Sequence, residues 1–205
     1  DMAPTDLAQV LQPCSPREFM ESTWRTTYRY LPGQPDKFGA LLPWSRLNLL
    51  LGEHRFEPYR LRVVQETKVI PPSTYQRPLE SHSNEQVPRL DPVKLTQLLR
   101  EGATLIVNAI DEMVEPIGQL AENLEKSLQA AVQASAFATW GSTPGFSTQP
   151  HQDEFEVLVM QVDGRKRWTI YADASDTPSC AGNGTGPARA GEPVWEQVVE
   201  PGDLI

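Results

Sequence analysis

The hydrophobic period of this chain changes once, near residue 135, and that change constrains its architecture more than any other feature. Over residues 116–133 the apolar positions Ile117, Leu120, Ala121, Leu124, Leu128 and Val132 recur with the spacing of one helix face. Beyond Ala136 the pattern is one of strands and turns. Phe155, Val157, Val159 and Gln161 alternate with Glu156, Leu158 and Met160, the period of an extended strand. Asp163-Gly164 follows as a hairpin-turn pair, and Trp168-Thr169-Ile170-Tyr171 is the predicted return strand.

Upstream the signals are mainly helical. Ser15-Pro16-Arg17-Glu18 reads as a helix start, with Ser15 as cap, Pro16 in the first turn, and Phe19 and Trp24 as apolar anchors. Residues 41–51 predict a second helix, capped near Ser45 and stopped near Gly52, and residues 59–64 alternate like a strand. Pro71-Pro72 and the polar residues 80–86 read as loop. Asp91 caps a predicted helix that has Pro92 at its first position and runs to Leu99; residues 103–110 form a short apolar strand. A Gly-, Ser-, Pro- and Ala-rich loop is expected over 173–193. This order predicts a helical and mixed N-terminal cover over 1–102, attached to a β-sandwich or barrel over 103–205.

A length of 205 residues allows one good core and a smaller satellite, while 19 prolines and 13 glycines imply many loops. No apolar run reaches the roughly 18 residues that span a bilayer, and Asp1-Met2-Ala3-Pro4 lacks the basic and apolar blocks of a secretory signal. Asp1 ahead of Met2 reads as an added residue, with Met2 as the start. The net charge of −9 opposes direct nucleic-acid binding and tolerates a basic peptide or protein partner. Cys14 and Cys180 are far apart and form no CxxC pair, so a reducing cytoplasm is the default compartment. Ser22 and Ser45 lie in no GxSxG elbow, and no GxGxxG or Walker loop occurs, which removes those routes to hydrolysis and nucleotide binding.

The chemistry-bearing stretch is Gln149-Pro150-His151-Gln152-Asp153-Glu154-Phe155-Glu156-Val157. On an extended strand His151 and Asp153, two apart, point to the same face. An imidazole and a carboxylate placed so supply two of the three ligands of a 2-His-1-carboxylate metal site, which leaves coordination positions open for co-substrate and oxygen. His-x-Asp alone recurs by chance, so its neighbours carry the weight. His54 and His82 have no carboxylate or cysteine at ligand spacing and read as ordinary histidines. Trp140 and Trp168 read as core or rim aromatics. Gln161 is equally compatible with a cavity and with a neighbouring strand. Arg165, Lys166 and Arg167 are alike as turn cations, but alternation puts Lys166 on the face opposite the two arginines.

The string HQDEFEVLVMQVDGRKRWTIY closely resembles the signature of the cupin-type JmjC family, which includes ribosomal oxygenases. His151-x-Asp153, an apolar strand ending in Gln161, and Gly164-Arg165-Lys166-Arg167-Trp168 fill that signature in register. The likeness reaches upstream through 136–146 to Leu105, and more loosely to Phe19, Trp24 and residues 41–61. It implies a mainly β chain with a helical N-terminal cover, folded as a double-stranded β-helix (a jelly roll). It also implies Fe(II) held by His151 and Asp153, with 2-oxoglutarate as co-substrate. Lys166, 15 residues past His151, would pair with the distal carboxylate, and Thr139, Ser142 and Thr143 would be weaker co-substrate contacts. Glu200-Pro201-Gly202-Asp203-Leu204-Ile205 matches the start of the family's PGDxLYxPxGxxH segment. The second histidine is therefore expected about eight residues past Ile205, together with the closing strands, and residues 1–205 by themselves are expected to be inactive. The implied reaction is hydroxylation of an amino-acid side chain in a protein or peptide. Lysine demethylation and a non-catalytic cupin-like binding module are the alternatives, and a homodimer is compatible with all three.

Overall fold

The structure is a computed structural model that describes residues 2–57, 59–65, 68–80, 86–140, 153, 155–172 and 191–205. Its helices are α1 (Leu7–Leu11), α2 (Pro16–Ser22), α3 (Trp44–Glu53), α4 (Pro72–Tyr75), α5 (Pro92–Arg100) and α6 (Glu115–Leu128), with a 3-10 turn at Ile110–Glu112. Its strands are β1 (Leu61–Gln65), β2 (Lys68–Val69), β3 (Gln76–Glu80), β4 (Gln86–Leu90), β5 (Thr104–Asn108), β6 (Ser135–Thr139), β7 (Lys166–Tyr171) and β8 (Pro193–Val199).

Local chemistry explains where the helices begin. The Ser15 hydroxyl accepts the Glu18 amide at 3.1 Å, and Pro16 occupies the first turn, where its missing N–H costs nothing. Asp91 Oδ1 accepts the amides of Val93 and Lys94 at 3.1 and 3.2 Å, ahead of Pro92. Asp6 caps α1 in the same way through the Gln9 amide at 2.8 Å. The helical period of 116–133 becomes α6 as far as Leu128, with Val132 outside the helix; α6 buries Leu120, Ala121, Leu124 and Leu128 along one stripe. The helix expected over 41–51 starts at Trp44 and continues through Gly52 to Glu53.

The chain divides into two compact units, one of Asp1–Pro43, Glu122–Ala130 and Gln149–Ile205, the other of Trp44–Ala121 and Ala131–Thr148. The second unit holds a four-stranded antiparallel sheet in the order β2-β1-β5-β6. Its central strand β5 buries Thr104, Leu105, Ile106 and Val107, as its unbroken apolar run requires. Leu61, Val63 and Val64 of β1 join that core, with Leu47, Leu50, Leu95 and Leu99 of the helices.

Residues 76–80 and 86–90 pair as β3 and β4, so Glu80 and Gln86, the two ends of the segment 80–86 that the sequence suggested as loop, lie in strands. Pro78 stands opposite Pro88 in that ladder. Proline withholds a ladder donor and so argues against a strand, but a two-stranded ribbon tolerates it because each strand has an open edge.

The first unit contains the two-stranded sheet β7-β8 and a core that includes Leu7, Val10, Leu11, Phe19, Phe38, Leu41, Val199 and Leu204. Here the predicted return strand is corrected. Residues 168–171 do lie in a strand, but β7 pairs with β8, from Lys166↔Val199 to Tyr171↔Pro193, and not with residues 155–161. The latter are bridged only at Met160, to Leu204. Asp163-Gly164 therefore bends one long ribbon and closes no hairpin. Among the described residues, helices and antiparallel strands occur in comparable measure and no sheet closes into a barrel. Among those residues no helix is long and apolar enough to cross a membrane.

Candidate active site

The stretch that follows His151 and Asp153 is held in place by residues 199–205. Val159 and Ile205 exchange amide bonds of 2.8 and 3.0 Å; Gln161 donates to Asp203 O at 3.0 Å and accepts from Gly202 N at 2.8 Å. Leu204 exchanges bonds of 2.8 and 3.0 Å with Leu31 on its other side, so it is the middle of three extended segments and only 2% exposed. The pairing Met160↔Leu204 and the pairing Lys166↔Val199 belong to one antiparallel ribbon whose register slips by a single residue at the bend. Gly164 supplies the positive φ there (64°), and its amide donates to Asp163 Oδ1 at 2.7 Å. The side chain of Gln161, open between two roles in the sequence, is buried and braces this turn. Its Nε2 donates to Asp163 O at 2.7 Å and to Gly164 O at 3.3 Å.

The opposing turn is fixed by Asp203. One carboxylate oxygen accepts the Tyr30 hydroxyl at 2.8 Å and the Glu200 amide at 2.9 Å, and the other accepts the Gly33 amide at 2.9 Å. Burial, followed by the Asp203 carboxylate that its hydroxyl must serve as donor, pushes the Tyr30 phenol up to about 12. Backbones also touch here: a Cβ on Gly33 would stand 1.9 Å from Gly202 O, and one on Gly202 1.8 Å from Gln34 O. Nothing in the sequence singled out Tyr30 as the partner of Asp203, because 173 residues separate them.

Strand β7 sorts the three cations. Arg165 and Arg167 are exposed, and Arg167 Nη1 pairs with Glu196 Oε1 at 3.2 Å on the outer surface. Lys166 is half-buried on the other face, where burial holds its amine below the ordinary lysine range. Alternation along β7 places Trp168 and Ile170 on that same face, opposite Gln197 and Trp195 of β8. The Trp168 indole nitrogen is buried and meets no acceptor. Trp195 packs against Tyr28 and Tyr30 at centroid distances of 6.2 and 5.4 Å. A strand face with a desolvated cation and an unmet neutral donor fits an anionic ligand, and so fits the carboxylate group that the sequence reading attached to Lys166.

The other candidates are placed as follows. Asp153 is exposed and outside any strand. His151, Thr143, Ser142, His82 and Cys180 lie outside the described residues. Among the described residues no group of three or more His, Cys, Asp and Glu side chains could hold a metal ion. In the other unit, the Thr139 hydroxyl is 2.7 Å from the hydroxyl of the fully buried Thr104, its partner across β5 and β6. Trp140 stacks obliquely on Trp44 at 6.3 Å. His54 Nδ1 approaches Leu50 O at 3.3 Å, and its ring lies 6.2 Å from Phe56, the setting of a structural histidine.

Comparison with known proteins adds a likeness to a family. Residues 108–205 match the JmjC domain. A bifunctional lysine-specific demethylase and histidyl-hydroxylase NO66 of Drosophila pseudoobscura pseudoobscura is 26% identical over 200 residues, covering 97% of this chain and 20% of that protein. The same-named protein of Drosophila yakuba is 25% identical over 203 residues, covering 97% and 28%. Ribosomal oxygenase 1 of Gallus gallus is 24% identical over 202 residues, covering 96% and 31%. The chain thus spans between a fifth and a third of the length of these relatives.

Proposed function

Since residues 108–205 of this chain match the JmjC domain, we propose that the protein is an Fe(II)- and 2-oxoglutarate-dependent oxygenase that hydroxylates an amino-acid side chain of a protein. The single observation that carries this reading is that the family match encloses His151-x-Asp153 and Lys166 in one stretch. JmjC domains imply a cupin-like fold, and the bent antiparallel ribbon of 155–171 with 193–205 is what one corner of a jelly roll requires. In this reading residues 103–205 contribute to the jelly roll and 1–102 to its cover.

His151 and Asp153 are the proposed metal ligands, two of the three that a 2-His-1-carboxylate site uses. Lys166 holds the distal carboxylate of 2-oxoglutarate through a charge-assisted bond, and its strand face, shared with Trp168 and Ile170, limits water there. Thr143 is a further co-substrate contact; Thr139, whose hydroxyl is engaged with Thr104, helps to shape the adjoining strand. When bound, iron and 2-oxoglutarate would supply the chemistry that activates O2, one oxygen atom going to the C–H bond and the other to succinate as CO2 is lost. The substrate residue must enter beside the metal, and the net charge of −9 favours a basic protein segment.

The names of the insect relatives pair a histidyl-hydroxylase with a lysine-specific demethylase. That pairing favours lysine demethylation as a second reading, because hydroxylating an N-methyl carbon uses the same residues. The test is Asp153→Ala in the full-length protein. Succinate formation should fall to background and stoichiometric Fe(II) or Mn(II) uptake should be lost. Retained uptake with normal turnover would refute the metal assignment.

A further inference from the structure

Charge is spread unevenly along this chain. From β1 to the end of α5, residues 61–100, six lysines and arginines stand against four aspartates and glutamates, whereas the remainder holds 12 against 23. The six cations are Arg62, Lys68, Arg77, Arg89, Lys94 and Arg100, and all are exposed. Six arginines elsewhere each pair with a glutamate, but among the described residues no ion pair takes any cation of this stretch. Two of them are set against each other. Arg77 stands directly opposite Arg89 in the β3–β4 ribbon. The neighbouring pair, Pro78↔Pro88, has no N–H to give and so occupies a non-hydrogen-bonded position. Arg77↔Arg89 is then a hydrogen-bonded pair, with Cα atoms about 5.5 Å apart and both residues on one face. Like charges directly opposite destabilise a ribbon. Asp91, two residues past Arg89, spends its carboxylate on the amides of Val93 and Lys94.

From this arrangement we propose that the β3–β4 ribbon is a docking surface for the phosphodiester backbone of a nucleic acid, held by Arg77 and Arg89. Lys94 adds a third charge in the first turn of α5, which begins beside the root of the ribbon, where Asp91 N donates to Tyr75 O at 2.8 Å. The whole-chain charge of −9 opposes such a partner, but contact is made where cations are concentrated, and the acidic remainder orients the approach. The prolines bear on which polyanion fits. At a non-hydrogen-bonded pair the backbone nitrogens face outward, so each open edge of the ribbon lacks a donor at its middle, and a peptide adding as a third strand loses that bond. Recognition falls instead to the arginine forks, which match phosphate oxygens in charge-assisted pairs. A nucleic acid offers a negative charge at every unit of its backbone and meets both arginines in any register, whereas an acidic peptide must bring two carboxylates to fixed places. The inference is independent of the metal and co-substrate readings given above.

The experiment is fluorescence anisotropy of the full-length protein with labelled oligonucleotides of mixed sequence, single-stranded RNA in one arm and duplex DNA in the other. Binding to at least one of them is expected at about 50 mM salt, and raising salt to about 200 mM should weaken single-strand binding about 10-fold, the dependence for two to three phosphate contacts. The double variant Arg77→Gln, Arg89→Gln should raise Kd about 10-fold at the lower salt and make the logarithmic salt slope shallower by about 1.4. Arg17→Gln, an exposed cation of α2, should change neither. Arg77→Glu guards against misfolding. It sets opposite charges across the ribbon, so its thermal midpoint should equal or exceed that of the unsubstituted protein while binding is lost. A lowered midpoint would remove the premise that the arginines repel. Absence of binding at the lower salt, or binding that ignores both arginines, overturns the proposal. So does poly-glutamate that competes as well as an oligonucleotide of equal length, an outcome that would give the ribbon to an acidic protein instead.

Discussion

At Lys166 the physics of burial and the proposed pairing with a carboxylate pull in opposite directions. Desolvation favours the neutral amine and lowers its pKa, whereas a carboxylate partner needs the ammonium. A lysine whose folded pKa is depressed binds its proton more tightly in the unfolded chain. Below the ordinary lysine value of 10.5, then, it works against folding. Lys166→Met should therefore raise the thermal midpoint at pH 7 while abolishing tight 2-oxoglutarate binding; a lowered midpoint would contradict the burial argument. Tyr30 shows the opposite sign. Its phenol is pushed up to about 12 in the fold against 10.0 ordinarily, so its contribution is complete below pH 10 and is lost as pH rises from 10 to 12. Tyr30→Phe should cost about 1–2 kcal/mol at neutral pH through the bond to Asp203 and should flatten the alkaline decline. Urea denaturation across that pH window tests both halves.

Among the elements, the helices were legible because their signals are local. Ser15 and Asp91 cap helices with the side-chain bonds their sequence positions imply, and the 116–133 period became α6. The β3–β4 ladder was illegible because Pro78 and Pro88 mimic loop, and only their mutual register makes them harmless. For β7, period and turn marked the strand but could not name its partner. β8 lies across residues 173–193, and no local pattern carries pairing over such a distance. The candidate site divides the same way. The pair proposed as ligands, His151 and Asp153, stands out by its spacing, and the facing of Lys166 is readable from alternation. The unmet indole of Trp168 exists only once the strand is packed. The turn at residue 202 gives a sharp mutational contrast. Gly202→Ala would drive a methyl into Gln34 O at a φ of +92°, costing about 3–5 kcal/mol, whereas Gly52→Ala in α3 meets nothing within 4 Å and should gain about 0.5–1 kcal/mol. Similar melting temperatures for the two variants would show that the ribbon's bend is softer than its contacts indicate.

For the whole molecule, net charge decides which partners approach quickly. A surface of −9 attracts a lysine- and arginine-rich segment over about a Debye length, roughly 10 Å at 0.1 M salt. KM for a basic peptide substrate should rise steeply between about 0.05 and 0.5 M salt, with kcat nearly constant. A flat KM would mean that recognition is apolar and that the acidic surface serves another purpose.

The three-way junction at Leu204 also has a timetable. Leu31 finds its backbone partner 173 residues later in the chain, beyond Met160 and all of β8. At a synthesis rate of roughly 5–20 residues per second, the N-terminal segment emerges from the ribosome about 10–35 s before the strand that completes it. During that interval Gly33 and Tyr30 wait for the carboxylate that will bind them. Folding of this unit is consequently a late, non-local event dominated by loop closure.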